Sequence, residues 1–257
     1  VTLPARIECQ SLTVEVPGRV LVRDLSFALP AGRMLVVLGR NGSGKSSTLH
    51  TLAGLRQAAS GAVRLDGRDL GHWPRRELAR TLGLLPQLVD DPFPATALEA
   101  VLVGRHPHLD FWAWESADDR AAAQRALSAV DLAGLEQRDI ATLSGGERRR
   151  LSIATILAQD PGVFLLDEPI HQLDPQHQLD VLRLFRGLAD AGRTVIVSLH
   201  DIGLAARFAD AALLLFGDGR WHCGDCDSTL TEASIGELYG IAVRELRWEH
   251  GRTFVAA

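Results

Sequence analysis

Short unbroken apolar runs alternate along this chain with stretches whose apolar residues recur every third or fourth position. Residues 12–16 and 20–29 are β-rich and are separated by Pro17-Gly18, a turn signal. Residues 34–38 (MLVVL) form a continuous apolar run, the pattern of a strand buried on both faces. A glycine-rich segment, 39–44, follows, and then a helix is predicted over 45–52. Further strands are predicted over 62–65, closed by Asp66-Gly67, and over 81–85, stopping at Pro86-Gln87.

From about residue 88 to 160 the pattern becomes helical. The stretches 97–103, 117–130 and 147–159 are rich in Ala, Leu and Arg, strong helix formers, and Leu151, Ala154 and Leu157/Ala158 repeat at helical steps. Alternation then returns. A strand run, 163–166, ends in Asp167-Glu168-Pro169, and the helix after it carries Leu179, Leu182, Phe185 and Leu188 on one face. Another strand, 194–199, ends at His200-Asp201, and 211–216 precedes a tail of short elements. Strand–helix alternation implies an α/β fold with a parallel sheet and right-handed crossovers, whose ligands bind beyond the carboxyl ends of the strands. Gly39, Asp167, Glu168 and His200 all fall at such ends, and the helical stretch reads as a lobe inserted into this core.

Composition narrows the possibilities. The 257 residues suit one compact domain or two fused lobes, and 46% apolar with 23% charged residues excludes disorder, collagen and coiled coil. The longest apolar runs fall far short of the ~20 residues of a membrane span, and no basic patch followed by an apolar core marks a secretory signal. A net charge of −5 does not favour nucleic acid bound through a basic surface. Three cysteines support no disulfide framework and fit a reducing compartment. Cys223-Gly-Asp-Cys226, beside His222, reads as a turn after a short strand, because neither a second ligand pair nor a helix N-terminus is evident there. His106 and His108 flank Pro107, which argues for a bend rather than a metal pair.

The chemistry begins with Gly39-Arg40-Asn41-Gly42-Ser43-Gly44-Lys45-Ser46, which matches G-x-x-x-x-G-K-[ST] between a predicted strand and helix. Its glycines let the backbone curl so that N–H groups form a nest for phosphate oxygens, aided by the helix N-terminus, with Ser47 next in line. Lys45 is placed to bridge β- and γ-phosphates and Ser46 to ligate Mg²⁺. Asp167, at the end of a buried strand, suits Mg²⁺ held through its water shell, and the adjacent Glu168 suits polarisation of a water against the γ-phosphate. Leu143-Ser144-Gly145-Gly146-Glu147 opens the Arg-rich helix Arg148-Arg149-Arg150. Ser144 with Glu147 makes a capping box, and a capped helix start behind two glycines is also a phosphate receptor. Its distance in sequence from Lys45 suggests that it serves a different nucleotide from the one Lys45 holds.

The ordered set of 39–46, Gln87, 143–147, 166–169, Leu173-Asp174 and His200 resembles the nucleotide-binding subunit of ATP-binding cassette (ABC) transporters, over essentially 7–239. The resemblance implies a P-loop NTPase (RecA-like) fold: a mixed, mainly parallel sheet core with an N-terminal antiparallel β subdomain (1–87 and 161–240), an inserted helical subdomain (88–160) and a C-terminal tail (241–257). It implies ATP hydrolysis with ATP and Mg²⁺, and a head-to-tail homodimer holding two ATPs, each between the Lys45 loop of one copy and Ser144-Gly145-Gly146 of the other. Gln87 is then the sensor of γ-phosphate and Mg²⁺, Asp174 meets the opposite subunit, and His200 contacts the γ-phosphate.

Gly104-Arg-His-Pro-His after Gln87, and 75–80 before the next strand, are similar to ATPases of type II importers for ferric siderophores, haem and cobalamin. That implies a permease dimer in the membrane, an indirect link to a substrate-binding protein, and a place on the cytoplasmic face of the membrane. Two departures stand out. Val16 occupies the position where the family usually stacks an aromatic residue on adenine, and Ile170-His171-Gln172 precedes Leu173-Asp174 where small residues or Asn-His are common. The alternatives are an ABC ATPase with another cargo or direction, a soluble ABC ATPase acting on nucleic acid or the ribosome, and a nucleotide-binding regulator that does not turn over.

Overall fold

The computed structural model describes residues 5–87, 94–110, 113–248 and 251–257. Six strands form the central sheet in the order β10-β9-β3-β8-β7-β6. These are β3 (Met34–Gly39), β6 (Leu82–Leu85), β7 (Val163–Asp167), β8 (Thr194–Ser198), β9 (Ala211–Leu215) and β10 (Trp221–Asp225). All neighbours run parallel except β10 against β9. Every residue of β3, β7 and β8 is buried, as their continuous apolar runs require. Met34, Val36 and Leu38 face one cluster and Leu35 and Val37 the other, the two-residue period of a strand packed on both sides.

A four-stranded antiparallel sheet, β2-β1-β4-β5, contributes to the second cluster. It is built from β1 (Ala5–Val16), β2 (Arg19–Pro30), β4 (Ser60–Leu65) and β5 (Arg68–Asp69). Helix α1 (Lys45–Leu52) adds Leu49 and Leu52 to the same cluster. The first cluster is closed by α3 (Ala97–Leu102), α4 (Ala117–Ala129), α5 (Gly145–Gln159), α6 (Pro175–Asp190) and α7 (Ile202–Phe208). The predicted apolar face of α6 is realised: Leu182 and Phe185 are fully buried, while Leu179 and Leu188 pack at its margin. Phe185 meets Phe164 of β7 edge to face, with ring centroids 5.6 Å apart.

Several boundaries differ from the sequence reading. Thr81 is the last residue of a helix, α2 (Arg75–Thr81), rather than the first of a strand, and its hydroxyl donates to the Glu77 carbonyl one turn back. Helix α5 begins at Gly145, two residues before the Ala/Leu/Arg-rich stretch, as the capping box read from the sequence requires: Glu147 N donates to Ser144 Oγ at 3.2 Å and Ser144 N to Glu147 Oε2 at 2.7 Å. The bend at Pro107 lies in a 3₁₀ segment, Val103–His108, where His108 Nε2 pairs with the Gln159 carbonyl at 2.9 Å. Residue 88, the expected start of the helical subdomain, lies outside the described residues.

The C-terminal segment is an antiparallel hairpin, β11 (Val243–Trp248) and β12 (Gly251–Ala256), preceded by α8 (Cys226–Thr229) and α9 (Glu232–Tyr239). It packs on α7 so closely that a side chain at Gly203 would collide with Thr253. Cys223 lies in β10 and Cys226 opens α8, so a helix start is present after all. Burial pushes the two thiols up to about 11 and about 12, away from the reactive thiolate.

Phe185→Ala removes one of the two buried rings that pack α6 on β7, so it is expected to cost about 3–5 kcal/mol of stability. Denaturant unfolding followed by circular dichroism checks this.

Candidate nucleotide-binding site

β3 ends at Gly39, and the chain then turns through Gly42 (φ +74°) and Gly44 (φ +107°), left-handed conformations that glycine adopts without steric cost. Gly39 also has no room for a side chain, since a Cβ there would collide with Ser43 Oγ and the Leu215 carbonyl. The turn delivers α1 with Gly44 as its N-cap and no side-chain cap, whereas α3, α4, α5, α6, α7 and α9 each receive one. The first-turn N–H groups of α1 are thus left for an outside acceptor, which is what an anion site needs.

Lys45 is buried, donating from Nζ to the Gly39 carbonyl at 3.0 Å, and lies 3.9 Å from Glu168 Oε1. Burial pulls its pKa below the usual lysine value, opposed by the charges of Glu168 and Asp167. Around it opens a cleft of about 710 Å³. Val16, Arg19 and Leu21 stand at one side, Asn41, Gly42, Ser46 and Ser47 along the loop, and Gln87, Glu168, His171 and His200 opposite.

The acidic end of β7 faces this loop. Asp167 is buried and accepts a hydrogen bond from Ser198 Oγ of β8 at 2.6 Å, while the same hydroxyl accepts from Glu168 N at 2.9 Å. Glu168 has φ +48°, in the left-handed region, a conformation costing a residue with a Cβ on the order of 1–3 kcal/mol. Its carboxylate meets other partners than that of Asp167. Gln87 Nε2 donates to Oε2 at 2.9 Å, and His200 Nε2 lies 2.5 Å from Oε1. Three elements far apart in sequence therefore converge on one carboxylate, beyond the carboxyl ends of β6, β7 and β8.

The residues fit a nucleotide triphosphate with Mg²⁺. An uncapped helix start and a buried ammonium offer positive charge to phosphates, while the Ser46 hydroxyl, Asp167 and Gln87 supply hard oxygen donors of the kind Mg²⁺ prefers. Gln87 spends its amide N–H on Glu168, leaving its carbonyl oxygen for a cation. Arg40 is exposed and is not among the residues lining the cleft; Ser144, Gly145, Gly146 and Asp174 do not line it either. Asp174 caps α6, accepting from His177 N at 3.0 Å.

Three residues of the site were not singled out from the sequence. Ser198 is a hydroxyl ending an otherwise apolar strand beside the Asp-Glu strand, a signal that could have been read. Arg19, which lines the cleft with Val16, fixes its guanidinium on the Gly217 carbonyl, with Nε at 3.0 Å. Arg149, in a run of three arginines, is buried beneath Glu168 and Gln87.

The "ABC transporter" family model matches residues 22–171. The hemin import ATP-binding protein HmuV of Pseudomonas entomophila is 44% identical over 229 residues, covering 87% of this chain and 88% of that protein. The achromobactin transport ATP-binding protein CbrD of Dickeya dadantii is 36% identical over 239 residues, 93% of this chain and 89% of its own. Among solved structures, an inward-facing metal-chelate type ABC transporter superposes with a TM-score of 0.85 at 27% identity, covering 98% of both chains. The ATP-binding cassette MJ0796, as a post-hydrolysis dimer bound to ADP and Pi, gives 0.73 at 26% identity over 84% of this chain and 97% of its own. With its glycine loop, acidic strand end and capped glycine helix in the places described, this chain belongs to the ABC transporter family.

Proposed function

We propose that this chain is the ATP-hydrolysing subunit of an importer for a metal chelate, hemin first among the candidates. The observation that carries the ATPase reading is the convergence of Lys45, Gln87 and His200 on the Glu168 carboxylate beside an uncapped helix start. The import reading is supported by the hemin and achromobactin systems named for its relatives and by the likeness to a metal-chelate type transporter.

In this reading, N–H groups of 42–47 and Lys45 bind the β- and γ-phosphates, and Ser46, Asp167 and Gln87 hold Mg²⁺, which when bound neutralises phosphate charge. Glu168 orients a water and takes its proton as the water oxygen attacks the γ-phosphorus and the bond to the ADP oxygen breaks. His200 holds the Glu168 carboxylate in place and reaches toward the γ-phosphate from the end of β8. Because Ser144, Gly145, Gly146 and Asp174 stand outside their own cleft, a second copy in head-to-tail orientation supplies them, so that each ATP is enclosed by both chains. The core comprises 1–87 and 161–240, with 88–160 as the helical subdomain and 241–257 appended to α7. Closure and reopening of the pair move a membrane permease between its access states. No helix among the described residues is long and apolar enough to cross a membrane, and the subunit works from the cytoplasmic face, reaching the substrate-binding protein only through the permease.

Removing the Lys45 ammonium takes away the only buried cation facing the phosphates among the described residues of the cleft. Lys45→Ala is therefore expected to weaken Mg-ATP binding at least about tenfold; titration with a fluorescent ATP analogue measures it, and an unchanged affinity removes Lys45 from this role. Glu168→Gln is expected to keep ATP affinity within about threefold while lowering phosphate release by about a hundredfold or more; undiminished release contradicts the assignment of the base. Reconstituted with its permease in liposomes, the wild type is expected to drive ATP-dependent accumulation of hemin, a ferric siderophore or cobalamin. Intact ATP hydrolysis with none of the three accumulated refutes the cargo class.

A further inference from the structure

Arg148, Arg149 and Arg150 follow one another on α5, so their side chains leave the helix about 100° apart. All three spend their guanidinium groups on backbone carbonyls, but not in the same place. Arg148 donates to Leu143 and Ala141, and Arg150 to Val130 and Asp131, all within the helical stretch. Arg149 alone crosses to the central sheet. Its Nε donates to the Pro169 carbonyl (3.1 Å), Nη1 to Pro86 (2.8 Å) and Gln87 (3.3 Å), and Nη2 to Asp167 (2.7 Å) and Glu168 (2.8 Å). A guanidinium carries five N–H donors, and here five carbonyls are held.

This side chain is 6% exposed, and no carboxylate among the described residues lies within ion-pair distance of it. Burial lowers its pKa to about 10, with Asp167 and Glu168 opposing the shift from nearby, so it stays charged at neutral pH. A buried cation held only by carbonyls is an expensive way to pack a helix against a strand. What it grips explains its presence. Two of the carbonyls belong to the segment that aims Gln87 at Glu168, and three to the turn in which Glu168 adopts its left-handed backbone. Such a backbone persists only where its surroundings over-determine it, and Ser198 on one side with Arg149 on the other do so.

We propose that Arg149 is a positioning residue that ties α5 to the catalytic base and to Gln87 of its own chain. Resting on the dimer reading above, this makes α5 a two-ended lever. Its N-terminus, Ser144-Gly145-Gly146, closes on the nucleotide held by the partner copy, and Arg149, five residues past the cap, passes that movement to Glu168 of the second site. One chain thereby links the two ATPs: its helix start serves one and its base serves the other.

The test uses Arg149→Lys, which keeps the charge but cannot span five carbonyls. In the nucleotide-free protein, amide exchange over 82–87 and 163–170 is expected to rise at least about fivefold, with 151–158 within α5 unchanged. Differently tagged mixed dimers in the assembled transporter then carry Glu168→Gln in one subunit, leaving a single active base. Arg149→Lys on the chain with the intact Glu168 is expected to lower kcat at least about tenfold more than the same substitution on the Glu168→Gln chain, with KM for ATP unchanged. A residue that merely steadied α5 would act through the helix start, and its loss would be felt most from the Glu168→Gln chain. Equal losses from the two placements, a larger loss from the Glu168→Gln chain, or unchanged exchange over both segments overturns the proposal. The Glu168→Gln homodimer separates this from the reading beneath it: if that dimer hydrolyses ATP like the wild type, the assignment of the base falls and the proposal with it; if it is inert while the placements are equivalent, only the proposal falls.

Discussion

A glutamate whose backbone sits in the left-handed region, at the end of a strand buried on both faces, is the constraint around which this molecule is arranged. The sheet carries Asp167 and Glu168 to its carboxyl edge, and β8 brings the Ser198 hydroxyl that binds both. The turn at Glu168 separates two neighbouring carboxylates that would otherwise repel each other on one site, leaving Asp167 in the sheet and sending Glu168 toward Lys45. With both side chains about nine-tenths buried, an ammonium 3.9 Å from a carboxylate is strongly attractive, and each charge lessens the burial cost of the other. Gln87 and His200 then fix both oxygens of the carboxylate, the preorganisation that the proposed role of Glu168 as base calls for.

The same chain carries a second glycine-flanked helix start that stands outside its own cleft. Ser144-Gly145-Gly146 begins α5 with a completed capping box, yet lies apart from the cleft around Lys45. In the proposed head-to-tail pair, separation of the two halves of a reaction centre makes hydrolysis conditional on association, because charge stabilisation of the transition state is complete only when both are present. Arg149 ties α5 through five carbonyls to the Glu168 turn and the Gln87 segment of the same chain, the link on which the proposed coupling rests.

Much of this was legible in the residues themselves. The strands β3, β7 and β8 were visible as unbroken apolar runs because a sheet covered on both faces needs no polar alternation. The phosphate loop was visible because glycines at 42 and 44 sit where only glycine takes the required φ without strain. Less legible were features fixed by packing rather than by local pattern. Thr81 is β-branched and adjoins an apolar run, which reads as strand, but its hydroxyl closes a helical turn. The short strands Val243–Trp248 and Gly251–Ala256 leave little pattern in the sequence because they face solvent along much of their length and pack on α7. Arg149 was hidden in a charge run, where three adjacent arginines look alike until the helix turns one of them inward.

The central claim is that two copies of this chain enclose ATP between them, each completing the reaction centre of the other. Sedimentation velocity of the Glu168→Gln chain at saturating Mg-ATP, without its permease, tests it most directly. A pair of subunits closed on trapped nucleotide is the expected result, reverting to the separated form when ATP is removed. Subunits that stay apart under those conditions, with ATP bound to each, contradict the claim.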